Sequence, residues 1–233
     1  MTKMLAMTPL AFLLGGYLIG SIPWAWIIGR GHGIDIRQHG SGNVGATNVS
    51  RVLGKRWGVL CFALDFLKGF LPVLAAHLVL AHAGQASTGE RDLLLIVAIF
   101  APIAGHNWSV FLGFRGGKGM SVSAGALTAL TPWAVLLCGL VWLVAFETSR
   151  YVSLASVLAA LALPIAAWTL DRTGLAHCSP SILGLFVVLA LLVVLKHRSN
   201  LRRLLAGTEA KFARKDKGHA ATPQPPPAPE SAS

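Results

Sequence analysis

Charge is scarce in this chain. Only 12% of its 233 residues are Asp, Glu, Lys or Arg, about half the ~25% of an ordinary soluble domain. That shortfall argues against a water-soluble globule. Cysteine is scarcer still. Cys61, Cys138 and Cys178 lie far apart, a spacing that offers neither a metal site nor a disulfide framework. The long apolar runs lack the alternation of barrel strands, which leaves membrane-spanning helices. Familiar chemical signatures are missing too. There is no His-x4-Asp, no His-Glu-x-x-His and no Gly-x-Ser-x-Gly, so neither a zinc hydrolase nor a serine-nucleophile enzyme is expected.

What is present is apolar: 54% of residues are hydrophobic and the mean hydropathy is +0.63. The expectation is an all-α integral membrane protein with seven transmembrane helices, some of them short or half-helices. The candidate spans are residues 4–28, 57–82, 92–105, 120–130, 132–146, 152–170 and 181–195. The first is too long for a secretory signal and no cleavage site follows it. It reads as a retained span, with Gly20-Ser21-Ile22-Pro23 kinking its second half. Residues 1–217 form one polytopic domain. The Pro/Ala/Ser-rich segment 218–233 is expected to be disordered.

The net charge is +11. In a soluble protein that excess suggests nucleic acid. In a membrane protein it first reports orientation and contact with anionic lipid or substrate, so no nucleic-acid partner is expected. Placing residues 29–56 in the cytoplasm makes segments 106–119, 147–151 and 196 onward cytoplasmic as well. These four segments carry five, two, one and eight of the 20 Lys and Arg. The N-terminus is then outside and the C-terminus cytoplasmic. Every motif-like stretch falls on the cytoplasmic side, and there is no internal repeat of the kind common in transporters.

The densest of these stretches is Gly40-Ser41-Gly42-Asn43-Val44-Gly45-Ala46-Thr47-Asn48. Glycines let backbone N–H groups turn inward around an anion, and Ser, Asn and Thr add short neutral hydrogen-bonding groups. Arg37, Arg51, Lys55 and Arg56 rim it. The two readings are a phosphate-binding loop and a flexible polar linker. Its Gly-x-Gly-x-x-Gly follows a span rather than a strand, so it is no dinucleotide fingerprint. Gly116-Gly117-Lys118-Gly119 resembles a P-loop but lacks its spacing and its magnesium-holding Ser/Thr. It suits a phosphate without a metal, or a plain turn with a snorkelling lysine.

Single residues extend the set. Asp65 and Lys68 are three apart and about 12 Å along a span, as a structural ion pair or as lining of the site. Ser153 and Ser156 share a face at the start of a span, where serines often bond a preceding carbonyl. His197, Asn200 and Arg203 share a face just past the last span. They belong to a basic interfacial helix or to a grip on an anionic substrate. His106 and Asn107 open the second polar loop.

Taken in order, several stretches resemble the bacterial acyl-phosphate:glycerol-3-phosphate acyltransferases. They are Gly20-Ser21-Ile22-Pro23, Ile34-Asp35-Ile36-Arg37, Gly40 to Asn48, Leu64-Asp65-Phe66-Leu67-Lys68-Gly69, Gly105-His106-Asn107, Phe114 to Gly119, Arg150 to Ser156, His197-Arg198-x-Asn200 and Gly207-Thr208-Glu209. The match runs from about residue 15 to 210. The resemblance implies a seven-span fold in the cytoplasmic (inner) membrane. It implies transfer of a fatty acyl group from acyl phosphate to the 1-hydroxyl of glycerol 3-phosphate, with no cofactor and no metal. It implies catalytic roles for His197, Ser41, Asn200 and Lys118. Phosphate-binding roles fall to Gly40, Gly42, Asn43, Gly45, Asn48, Arg51, Lys68, His106, Gly116, Gly117, Gly119, Ser153, Ser156 and Arg203. Beyond the two substrates and membrane lipid, the enzyme that makes acyl phosphate is the expected partner. Ser109 stands where family members often have proline. The alternative function is a membrane transporter or exchanger of organic phosphates.

Overall fold

A computed structural model describes residues 2–83 and 86–212; the tail expected to be disordered, 218–233, lies outside the described residues. The described chain is helical throughout, with no strand. In chain order the helices are α1 (Thr2–Ser21), α2 (Trp24–Gly31), α3 (Ala46–Leu53), α4 (Lys55–His82), α5 (Thr88–Asn107), α6 (Met120–Leu130), α7 (Pro132–Ser149), α8 (Val152–Arg172), α9 (Pro180–Lys196) and α10 (Arg198–Leu205).

Local chemistry sets the boundaries. Pro23 cannot continue the ladder of α1, so α1 and α2 form one span broken at Ser21–Pro23. Ser87 and Glu90 make a capping box at the start of α5. Ser179 caps α9 ahead of Pro180. Residues of α4, α5, α6, α8 and α9 build the main core, while large apolar side chains such as Leu14, Leu71, Leu140 and Ile165 stay exposed around the outside. That outer surface is the face a bilayer would cover.

Two crossings are backbone against backbone, through small residues. A Cβ added at Gly69 of α4 would overlap Val122 O of α6, and one at Gly125 of α6 would overlap Phe66 O. Gly20 and Gly105 bring α1 and α5 together in the same way.

Helix length and composition alone mark fewer crossings than the expected seven. Among the described residues five helical stretches are long and apolar enough to cross a membrane, and α9 with α10, bent by 56°, makes a sixth if the pair is one span. The remaining apolar segment, α6, has 11 residues, about 16 Å of helix against a hydrocarbon core of roughly 30 Å.

The two ends of the bundle are distinct. At one end Ser179 Oγ donates to Asp92 Oδ2 (2.6 Å) and Cys178 N to Asp171 Oδ1 (2.9 Å), joining α5, α8 and α9. At the other, Lys196 Nζ donates to Asn107 O (3.0 Å), Ser153 Oγ to Glu209 Oε1 (2.7 Å) and Arg51 to Ala210 O (3.2 Å). The polar stretches that the charge pattern assigns to one side therefore share one end.

Candidate active site

The segment between α2 and α4 folds back on the bundle as a small unit of its own. Ile36, Val44 and Val49 pack with Ala25, Ile28, Cys61 and Leu112. Asp35 accepts from Arg37 N and from the guanidinium groups of Arg37 and Arg30. The hydrogen bond from Arg37 leads the effects that hold the Asp35 carboxyl far below the usual carboxylate range. Arg37, read as a rim cation, is thus tied to its own loop. Asn48 is buried and braces the glycine stretch. Its Oδ1 accepts from Ser41 N (2.8 Å) and its Nδ2 donates to Ile36 O and His39 O (3.2 and 3.0 Å). Gly40 and Gly42 hold positive φ within this turn, and Asn43 sits beside Gly45. Ser41 is exposed on its rim.

The second glycine stretch returns from the end of α5 to the start of α6. Gly116 N donates to Asn107 O (3.3 Å) and Gly117 N to His106 O (3.0 Å). The two loops touch: a Cβ at Gly117 would lie 2.6 Å from Val44 O. Ser41 is three residues from that contact and Lys118 one. Gly119 (φ +75°) begins α6 beside the Asn107 amide. That amide is buried, with no hydrogen-bond partner among the described residues.

From this loop Lys118 Nζ donates to Asn200 Oδ1. Asn200 Nδ2 donates in turn to Glu209 Oε1 (2.6 Å), which also accepts from Ser153, while Glu209 Oε2 accepts from Arg203 Nε (2.8 Å). Burial would raise the Glu209 pKa, but the hydrogen bonds from Asn200, Ser153 and Arg203 outweigh it and lower it. Lys118 goes the other way. Burial, with the positive fields of Arg203, Arg51 and Lys196, brings it down to about 8, although Glu209 opposes the change. The site thus gathers a surplus of cations around one carboxylate, as an anion site needs. His197 is buried where α9 bends into α10. Its Nδ1 lies 2.8 Å from Val193 O, so Nδ1 carries the proton and Nε2 of the neutral ring is the free acceptor.

Five of the expected residues therefore converge here: Lys118, Ser153, Asn200 and Arg203 through Glu209, with Arg51 beside them. Ser156 lies one turn along α8 and accepts from Trp142 Nε1 (3.3 Å). Lys68 and His106 do not join the cluster and pair with Asp65 inside the bundle. Glu209, at its centre, lies in the Gly207-Thr208-Glu209 stretch of the resemblance but carried no expected role. Its signal was its isolation, as the one carboxylate between Lys196 and Lys215. Lys196 carried none either. Its Nζ holds Asn107 O and stands over the Trp108 ring, 5.0 Å from its centre. Among the described residues no cluster of His, Cys, Asp or Glu could hold a metal ion.

This is an integral membrane protein in which two glycine loops and a Lys–Asn–Arg cluster meet at one end of the helices. Residues 10–207 match the Glycerol-3-phosphate acyltransferase family, and the chain belongs to it. The Glycerol-3-phosphate acyltransferase of Geotalea daltonii is 41% identical over 206 residues, 88% of this chain and 98% of that one. That of Aquifex aeolicus is 40% identical, over 88% of this chain and all of the other. The crystal structure of PlsY (YgiH), an integral membrane glycerol 3-phosphate acyltransferase, in its glycerol 3-phosphate form superposes with a TM-score of 0.77 at 40% identity. It covers 88% of this chain and 96% of that one. The lysophosphatidic acid form superposes with a TM-score of 0.74.

Proposed function

We propose that the protein transfers a fatty acyl group from acyl phosphate to the 1-hydroxyl of sn-glycerol 3-phosphate. The products are 1-acylglycerol 3-phosphate and inorganic phosphate, the first step of phospholipid synthesis. The observation that carries this reading is the meeting of Lys118, Asn200 and Arg203 beside two touching glycine loops. Two phosphorylated molecules need two anion cradles, and one fatty substrate needs them at a bilayer surface. Family membership supports the acceptor. The donor follows from the chemistry. Acyl phosphate is an activated anhydride with a good leaving group, so a site of fixed donors suffices.

In this reading Arg203, Lys118 and Asn200 grip phosphate, assisted by Arg51 and the hydroxyls of Ser153, Ser156 and Ser41. The substrate hydroxyl attacks the acyl carbonyl carbon, the bond from that carbon to the phosphate oxygen breaks, and phosphate leaves. Charge developing on the carbonyl oxygen meets a fixed donor, an effect of about 2.7–4 kcal/mol per donor. The hydroxyl proton passes to His197 Nε2 or to a substrate phosphate.

The topology proposed with it has seven crossings, with the N-terminus outside and the C-terminus and site on the cytoplasmic side of the inner membrane. The chain leaves the site end at Met120 and returns at Ser149. The short α6 must therefore complete a crossing for α7 to come back, and its glycine packing against α4 compensates for little lipid contact. The Lys and Arg distribution supplies the orientation.

The test uses protein purified in detergent, with no second compartment. Phosphate release from acyl phosphate should require glycerol 3-phosphate, and acyl-CoA or acyl carrier protein should not replace the donor. Binding of both phosphates without turnover would favour an exchanger of organic phosphates instead.

A further inference from the structure

Three ionisable side chains lie inside the bundle, apart from the Lys118–Asn200–Glu209 cluster. Lys68 and Asp65 of α4 are 3% and 2% exposed and pair at 2.9 Å. His106 Nδ1 of α5 is 3.7 Å from the same Asp65 oxygen. Buried charges in a membrane span mark a function, and here the hydrogen bonds show what they join. The break at Pro23 leaves carbonyls of α1 without helical partners. Lys68 Nζ donates to Ile22 O (2.8 Å) and Ser109 Oγ to Ser21 O (2.6 Å). On the other side, His106 O takes the Gly117 N–H (3.0 Å). A Cβ at Gly117 would overlap the His106 ring, and one at Gly116 would overlap His106 O. Val44 of the first loop rests on Gly117. A cavity of about 10 Å³ between these groups is the size one water needs.

We infer that Asp65, Lys68 and His106 are positioning residues: a buried charged brace that fixes the kink of α1 and the gap between the two glycine loops, and touches no substrate. His106 is the post on which the second loop rests, and Asp65 and Lys68 lock that post to the broken first span. Lys118 follows Gly117 directly, so the brace sets where its ammonium stands relative to the first loop. A displacement of about 1 Å between reacting groups can cost on the order of 10² in rate. The brace should therefore act on turnover and leave substrate affinity alone. The inference rests on the assignment of the two loops and Lys118 to the substrates, which the wild-type donor assay tests by itself.

The experiment compares kcat and KM for both substrates in two variants. Asp65→Asn with Lys68→Met replaces the pair by neutral groups, because removing one partner would strand a buried charge. His106→Gln leaves the pair intact, so it decides the matter if the double variant fails to elute as a single folded species. In each folded variant kcat should fall about 10- to 100-fold, with both KM values within about threefold of wild type. A KM for glycerol 3-phosphate or acyl phosphate that rises while kcat holds would mean direct substrate contact and would overturn the brace. So would full activity in His106→Gln. Neither result would touch the proposed reaction, which falls only if wild-type protein fails to turn over acyl phosphate.

Discussion

Asn200 donates its amide to Glu209 across 2.6 Å and accepts Lys118 on its other face. The carboxylate therefore fixes which way the amide points. With Oδ1 toward Lys118 and Nδ2 toward Glu209, Asn200 relays the position of the C-terminal segment to the second glycine loop. Arg203 is tied to the other carboxylate oxygen. The Glu209 side chain is 6% exposed, so its partners depend on it rather than on water.

Glu209→Gln should therefore weaken the site without emptying it. Three donors converge on two oxygens, and a carboxamide offers only one acceptor atom. Hydrogen bonds to a charged group contribute about 1.5–3 kcal/mol, so kcat/KM should fall roughly 10- to 100-fold, with the larger part in KM. Steady-state kinetics on detergent-purified variant checks this. A change under about threefold would show that Glu209 does not orient the grip.

Lys118 predicts the alkaline side of the pH profile. Burial brings its pKa down to about 8, so in the free enzyme the ammonium is present below that pH and lost above it. A profile of kcat/KM should fall as pH rises through about 8, and Lys118→Arg should move that fall upward, since guanidinium stays charged. The same group does not destabilise the fold there. Its folded pKa lies below its unfolded one, so between about 8 and the ordinary lysine value the unfolded chain binds the extra proton and stability rises with pH. An unchanged alkaline limb in Lys118→Arg would assign that limb to another group.

Glycine substitutions should separate the loop contacts from loop flexibility. A Cβ at Gly116 meets the backbone oxygen of His106, which cannot swing aside, whereas one at Gly113 meets nothing within 4 Å and carries only the strain of φ +61°. Gly113→Ala should cost about 1–2 kcal/mol of stability and keep most activity. Gly116→Ala should lower kcat/KM at least about 100-fold. Thermal unfolding and turnover, measured on both variants, give the comparison. Equal activity in the two would mean that the second loop is not held against α5.

Much of this arrangement was legible beforehand because membrane insertion writes itself into composition. Apolar runs marked the helices, and the Lys and Arg distribution grouped residues 29–56, 106–119 and 196–212 before any contact was visible. Lys118, Asn200 and Arg203 carried local signals of glycine context and helical spacing. Lys68 and His106 pair with Asp65 apart from the Glu209 cluster, a placement that residue type and proximity to a motif do not reveal. Lys68 turns to a carbonyl freed at the Pro23 kink, and His106 turns to Asp65. The role of Glu209, though it lies in a matching stretch, was hidden for the opposite reason. A single acid after a basic helix has no periodicity, and its role exists only once Ser153 of α8 is folded against it.

His197 closes the chemical argument. Its Nδ1 faces Val193 O at 2.8 Å, which leaves Nε2 as the one ring atom able to take a proton from the substrate hydroxyl. A general base contributes about 10²- to 10⁴-fold. His197→Ala, assayed with both substrates saturating, should lose at least that lower factor in turnover while inorganic phosphate still binds. Retention of more than about a tenth of wild-type turnover would remove the imidazole from proton transfer. It would hand that role to a substrate phosphate, whose oxygens Lys118 and Arg203 then orient as well as bind.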